Sequence, residues 1–136
     1  MVVECLTRKS LTKNEVYDKI FNMKLNPILK DEKYVSVSVK DNIPAEAIAV
    51  FRESEGTTVI LESSVAEASG LVSEFDAARI ELSAETSLND VGITATFSKV
   101  LADNGISCNV FAPIHHDHLF VPYKDRLEAI GLLSNL

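Results

Sequence analysis

Apolar positions in this chain fall into short alternating runs and helical stripes, and the order of these elements occurs nearly twice. Tyr34, Val35, Ser36, Val37, Ser38 and Val39 alternate with period two, which places three valines on one face of a strand. The other face of that strand is small and polar. Apolar runs at 47–53 and 57–62 flank Ser54, Glu55 and Gly56, a hairpin pattern. Upstream, Thr12 and Glu15 have the spacing of a capping box, and Val16, Ile20 and Met23 with Tyr17 and Phe21 make one apolar face that Pro27 ends. Ser64 and Glu67 repeat the capping spacing before a short helix that Gly70 can terminate.

The second half follows the same logic. Ile80 and Leu82 share one face of a strand while Arg79 and Glu81 point away. Ser87, Asn89 and Asp90 are set to cap a helix whose stripe is Ile93, Phe97, Val100 and Leu101, and Asn104 with Gly105 supplies a left-handed exit. Cys108, Val110 and Ala112 alternate along the next strand, and Leu119 with Val121 along the strand after a His/Asp-rich turn. Leu127, Ile130 and Leu133 mark a terminal amphipathic helix.

Strand, helix, strand, strand, helix is the order of a ferredoxin-like βαββαβ unit. The expected fold class is therefore α+β: two such units in tandem, with antiparallel sheets and helices on one face. The expected division is residues 1–75 for an amino-terminal, degenerate unit that has lost most of its first helix, and 76–136 for the second. The second unit has no room for a fourth strand after Leu136, so a strand from elsewhere in the chain has to complete its sheet.

Composition narrows the classes of function. At 46% hydrophobic and 24% charged residues, the chain is built like a globular domain and not like a disordered segment. A formal charge of -7 argues against a nucleic-acid partner, because phosphate binding relies on clustered Lys and Arg. No apolar run reaches the roughly 20 residues that cross a bilayer, and residues 1–5 lack the signal-peptide pattern, so no membrane and a cytoplasmic location are expected. Two cysteines make no disulfide framework, and Cys108 reads as a small reduced hydrophobe within a strand.

The segments Gly92, Ile93, Thr94, Ala95, then 101–109, then His116, Asp117, His118, Leu119, Phe120, Val121, Pro122 resemble the ACT-domain superfamily, and within it the small stand-alone ACT-like proteins related to the paired ACT modules of aspartate kinases and cytosolic arginine sensors. The resemblance is specific over 79–136 and extends through 51–58. It implies a non-catalytic regulatory or sensor protein that binds a small effector, an amino acid first of all, where two units meet, and that forms a homodimer or a higher homo-oligomer. It also implies a site: Ser87, Asn89, Asp90, Val91, Gly92 and Ile93 from the loop into the helix, Cys108 and Asn109 from the following strand, and His116, Asp117 and His118 as an opposing wall. Val91 stands where the family commonly has Pro before the Gly.

The loop has a physical rationale of its own. A helix N-terminus presents unpaired amides and the positive end of a dipole to a carboxylate, while Asn89 and Asp90 can meet an ammonium or guanidinium. The plainer reading is that Ser87, Asn89 and Asp90 only cap the helix and Gly92 only allows close packing. His115, His116, Asp117 and His118 have the ligand chemistry of a metal site, but the turn supplies two convergent ligands and the chain has no further histidine, so neither a metal nor a cofactor is expected. The same cluster suits a pH-sensitive contact, with Asp117 favouring the charged imidazole. Two other classes stay open: an oligomerisation or protein-interaction module with no small ligand, and a metal-dependent enzyme centred on residues 115–118.

Overall fold

The computed structural model describes residues 12–15 and 24–136. The capping box forms as expected. The Thr12 amide donates to Glu15 Oε2 at 2.7 Å and the Glu15 amide to Thr12 Oγ1 at 3.2 Å. The apolar face expected from Val16, Tyr17, Ile20, Phe21 and Met23, and the reading of residues 1–5, lie outside the described residues.

Among the described residues, six strands form one antiparallel sheet. They are β1 (Pro27–Val39), β2 (Ala49–Arg52), β3 (Thr57–Glu62), β4 (Phe75–Leu82), β5 (Asn109–Phe111) and β6 (Asp117–Pro122), in the spatial order β2-β3-β1-β4-β6-β5. Helices α1 (Ser63–Ala68), α2 (Ile93–Asp103) and α3 (Arg126–Ser134) accompany them. Where α2 joins β4 to β5, the equivalent link between β1 and β2 is a turn in which the Ala47 amide donates to the Pro44 carbonyl at 3.1 Å. The first unit has lost its first helix, as the sequence indicates.

The fourth strand missing from the second unit is β1. It pairs with the free side of β4 from Pro27↔Leu82 to Ser36↔Phe75, with a register shift between Leu29 and Lys33. The relation is reciprocal, because β4 occupies the same place beside β1 for the first unit. The two units thus share a single sheet, and the strand that the second unit lacks is supplied within the chain. Among the described residues, the free edges belong to β2 and β5.

Alternation along the strands sorts the side chains. Val35, Val37 and Val39 pack with Val59, Leu61 and Ala66 of α1, and Ala78, Ile80 and Leu82 pack with Ile93, Phe97, Leu101, Ala129 and Leu133 of α2 and α3. These three helices therefore cover one face. Tyr34, Ile60, Ala77 and Phe120 form a separate cluster on the opposite face, which none of them covers.

Three helical details depart from expectation. The α1 helix begins at Ser63 with Glu62 at its N-cap and no side-chain cap, so Ser64 lies inside the first turn. The α2 helix begins at Ile93, after Gly92 at φ 91°, and also lacks a side-chain cap. The candidate cap residues instead close a local turn: Asp90 Oδ2 accepts from the Ser87 amide at 2.7 Å, and Ser87 Oγ accepts from the Asn89 amide at 3.3 Å. Such short-range bonds compete with capping for the same side chains. On α3, Leu127 is exposed, because the buried stripe runs through Ala129 and Leu133 and a residue two positions before Ala129 faces outward.

Phe97 is fully buried whereas Phe51 is 63% exposed. Phe97→Ala is expected to lower unfolding free energy by about 3–5 kcal/mol through lost burial and a cavity. Phe51→Ala should stay within about 0.5 kcal/mol. Urea unfolding of both variants checks the contrast.

Candidate functional site

The turn that displaced the helix cap also shapes a cleft. The segment between β4 and α2 lies against the turn between β5 and β6, and the space between them is about 90 Å³, lined by Thr86, Ser87, Leu88, Asp90, Ile93, Thr94, Ala112, Pro113, Ile114 and Asp117. Four expected residues meet here: Ser87, Asp90, Ile93 and Asp117. The first-turn amides of α2 open toward this region with the positive end of an 11-residue helix behind them. Two acidic residues, Asp90 and Asp117, line the same space. Burial pushes the Asp117 pKa up, so this carboxylate gains from a cationic partner.

The other expected residues sit elsewhere. Asn89 and Val91 are exposed on the rim of the loop, and Gly92 supplies the left-handed residue that starts α2. Cys108 packs against the core under the helices, where burial pushes its thiol up to about 11. Asn109 pairs with Phe120 and His118 with Glu81, which puts Asn109 and His118 on the open face, away from the cleft. The chain thus does not bring Cys108, Asn109, Asp117 and His118 to one site. Adjacent positions point to opposite faces.

The histidines divide in the same way. His118 Nδ1 accepts a hydrogen bond from Arg79 Nε at 3.2 Å. Its pKa is lowered by burial first and by the Arg79 charge second, so Asp117 does not hold it in the charged form. His116 Nε2 stands 4.0 Å from Glu81, and its Nδ1 is buried without a hydrogen-bond partner among the described residues. Glu81 itself is held by Lys30 at 3.0 Å, and that bond keeps its carboxyl below the usual range. Among the described residues no three His, Cys, Asp or Glu side chains converge in a way that holds a metal ion.

Sequence reasoning missed a second concavity on the open face, around Arg79. Its lining comes from β2, β4, β5 and β6, strands that no local pattern links. The one signal available was the outward side of β4, where Arg79 alternates with Ile80.

Two ACT domain family models match the chain, over residues 22–78 and 73–135. No curated protein sequence matches it. Among solved structures, a Vibrio cholerae protein of unknown function, described as a possible transport protein, is 37% identical with a TM-score of 0.79, covering 85% of this chain and 92% of that one. An Agrobacterium tumefaciens protein is 18% identical with a TM-score of 0.57, covering 76% and 80%. A structure of aspartokinase alpha and beta subunits is 12% identical with a TM-score of 0.56, covering 83% and 97%; these last two likenesses concern the fold alone.

Two titrations follow from the geometry. The depressed folded-state pKa of His118 means that its contribution to stability is present above the ordinary imidazole value near 6.5 and is lost as pH falls through the lower folded value. NMR titration should place its midpoint below that of a free imidazole, with thermal stability declining on the acid side. Cys108, with its raised pKa, should react with iodoacetamide at pH 8 far more slowly than a free thiol, read by peptide mass spectrometry.

Proposed function

Because the chain belongs to the ACT domain family through both of its halves, we propose that it is a non-catalytic regulatory protein whose effector is an amino acid held in the cleft at the start of α2. ACT domains are regulatory modules that bind small ligands. The observation that carries the finer reading is the meeting of Asp90 and Asp117 with the N-terminal end of α2 around one small space. A zwitterion has the matching pair of charges: its carboxylate faces the helix amides and its ammonium faces the two acids. The cleft suits the backbone atoms of an amino acid, with the side chain projecting past Leu88 or Ile114 at the mouth. Among the described residues no helix is long and apolar enough to cross a membrane.

Regulation in this reading works through the loop and not through chemistry. The loop holds itself through the Asp90 to Ser87 bond, and an effector ammonium at Asp90 draws on that same carboxylate. Binding and loop geometry are therefore linked through one side chain.

Thermal melts against a panel of amino acids test the proposal. A true effector at a hundred times its Kd stabilises the fold by about 2.7 kcal/mol. Asp117→Asn should remove most of that shift while leaving the ligand-free melt nearly unchanged. A panel without any stabilising amino acid, or an Asp117→Asn variant that responds like the parent, sinks the reading.

A further inference from the structure

The cavity on the open face measures about 620 Å³, within the roughly 300–1,000 Å³ usual for small-molecule sites. It is lined by Phe120 of β6, Arg79 of β4, Phe111 of β5, Phe51 of β2 and Ile48 just before β2. Phe111 and Phe120 meet edge to face with ring centroids 5.7 Å apart, which fixes an aromatic surface beside the guanidinium.

Arg79 is the distinctive group. It is part-buried at the centre of the sheet, donates from Nε to His118 Nδ1 at 3.2 Å and from Nη1 to Tyr34 Oη at 3.3 Å, and stacks over the Tyr34 ring at 5.5 Å. Both acceptors are neutral. Among the described residues no carboxylate lies within ion-pair distance of it; the nearby Glu81 is engaged by Lys30 at 3.0 Å. Burial and the Arg79 charge together keep His118 uncharged and so an acceptor. A guanidinium has five N–H donors in a planar fork, and these two bonds leave the rest of the fork available. A part-buried cation oriented by neutral partners, with donors to spare and aromatic walls around it, is complementary to a carboxylate on an apolar body.

We propose that this cavity binds a small organic acid, its carboxylate on the Arg79 fork and its apolar or aromatic body against Phe51, Phe111 and Phe120. The site adjoins the cleft at α2, with Ala112 and Pro113 in both linings, but its binding groups, Arg79 and the three phenylalanines, are not among those of the cleft.

Isothermal titration of the whole protein with 4-phenylbutyrate and with its primary amide tests the site. The acid should bind about tenfold or more tightly than the amide, the ratio expected of a charge-assisted pair against a neutral one. Arg79→Met should remove that preference, Phe51→Ala should weaken acid and amide alike, and Asp117→Asn should leave both unchanged. The comparison of acid with amide on the parent protein stands even if the Arg79 variant misfolds. Equal affinities, or no binding of the acid at millimolar concentration, overturn the proposal. So does a stable dimer in sedimentation velocity that Phe51→Asp dissociates, since a second copy would then fill the cavity.

Discussion

Everything in this fold depends on the ladder between β1 and β4. Among the described residues these two strands hold the centre of the sheet and join its two halves. Their register decides which side chains the helices receive. With Tyr34 opposite Ala77 and Leu29 opposite Ile80, the valines of β1 and the Ala78, Ile80, Leu82 series of β4 all turn toward the helices. A slip of one residue would send Arg79 and Glu81 into the core and expose Ile80 and Leu82. The irregularity between Leu29 and Lys33 respects this rule. Four residues on β1 span what two residues span on β4, from Ile80 to Ala78, so an even number is inserted and the faces stay matched.

One-sided coverage follows from the same sharing. The helices need a continuous apolar floor, and the inward series of β1, β3, β4 and β6 supplies it. The outward series is released from that duty and carries Tyr34, Arg79, Glu81, His118 and Phe120. Part of this open face is nonetheless buried, because the Arg79 guanidinium lies over Tyr34 and the ring of Tyr34 meets Phe120 edge to face with centroids 6.1 Å apart. Polar and aromatic groups here seal a surface that none of the described helices covers.

Local periodicity made much of the architecture legible. The valine alternation, the Phe97 stripe, the hairpin around Gly56 and the Thr12 to Glu15 box each depend on neighbours in sequence, and each forms where the pattern places it. The order of elements also left the second unit one strand short; only tertiary pairing could name β1 as the strand that completes it. The site was less legible for the same physical reason. Asp90 had two equally sensible uses, as helix cap or turn closer, and only the backbone geometry at Gly92 decides between them. Expecting Cys108 and Asn109, and then Asp117 and His118, to face one site ignored the pleat, which sends neighbours to opposite faces. The cavity around Arg79 unites residues from Ile48 to Phe120 through sheet order, and no window along the chain contains it.

The pleat also divides the charge. Asp117 and His118 are consecutive in β6, yet Asp117 serves the cleft beside α2 and His118 the cavity on the open face. The cleft concentrates carboxylates and the cavity concentrates the guanidinium, so a chain with a net charge of -7 presents two concavities of opposite preference. They are linked by Ala112 and Pro113, which line both, and by the Asp117–His118 peptide of β6, held on one side by the ladder to Leu82 and Glu81 of β4. A group bound in either concavity can meet Ala112 and Pro113, so coupling between them has two routes, that exposed turn and the β6 peptide against β4. The ladder that fixes the fold is therefore the resistance along one of these routes, and the turn after β5 carries the other.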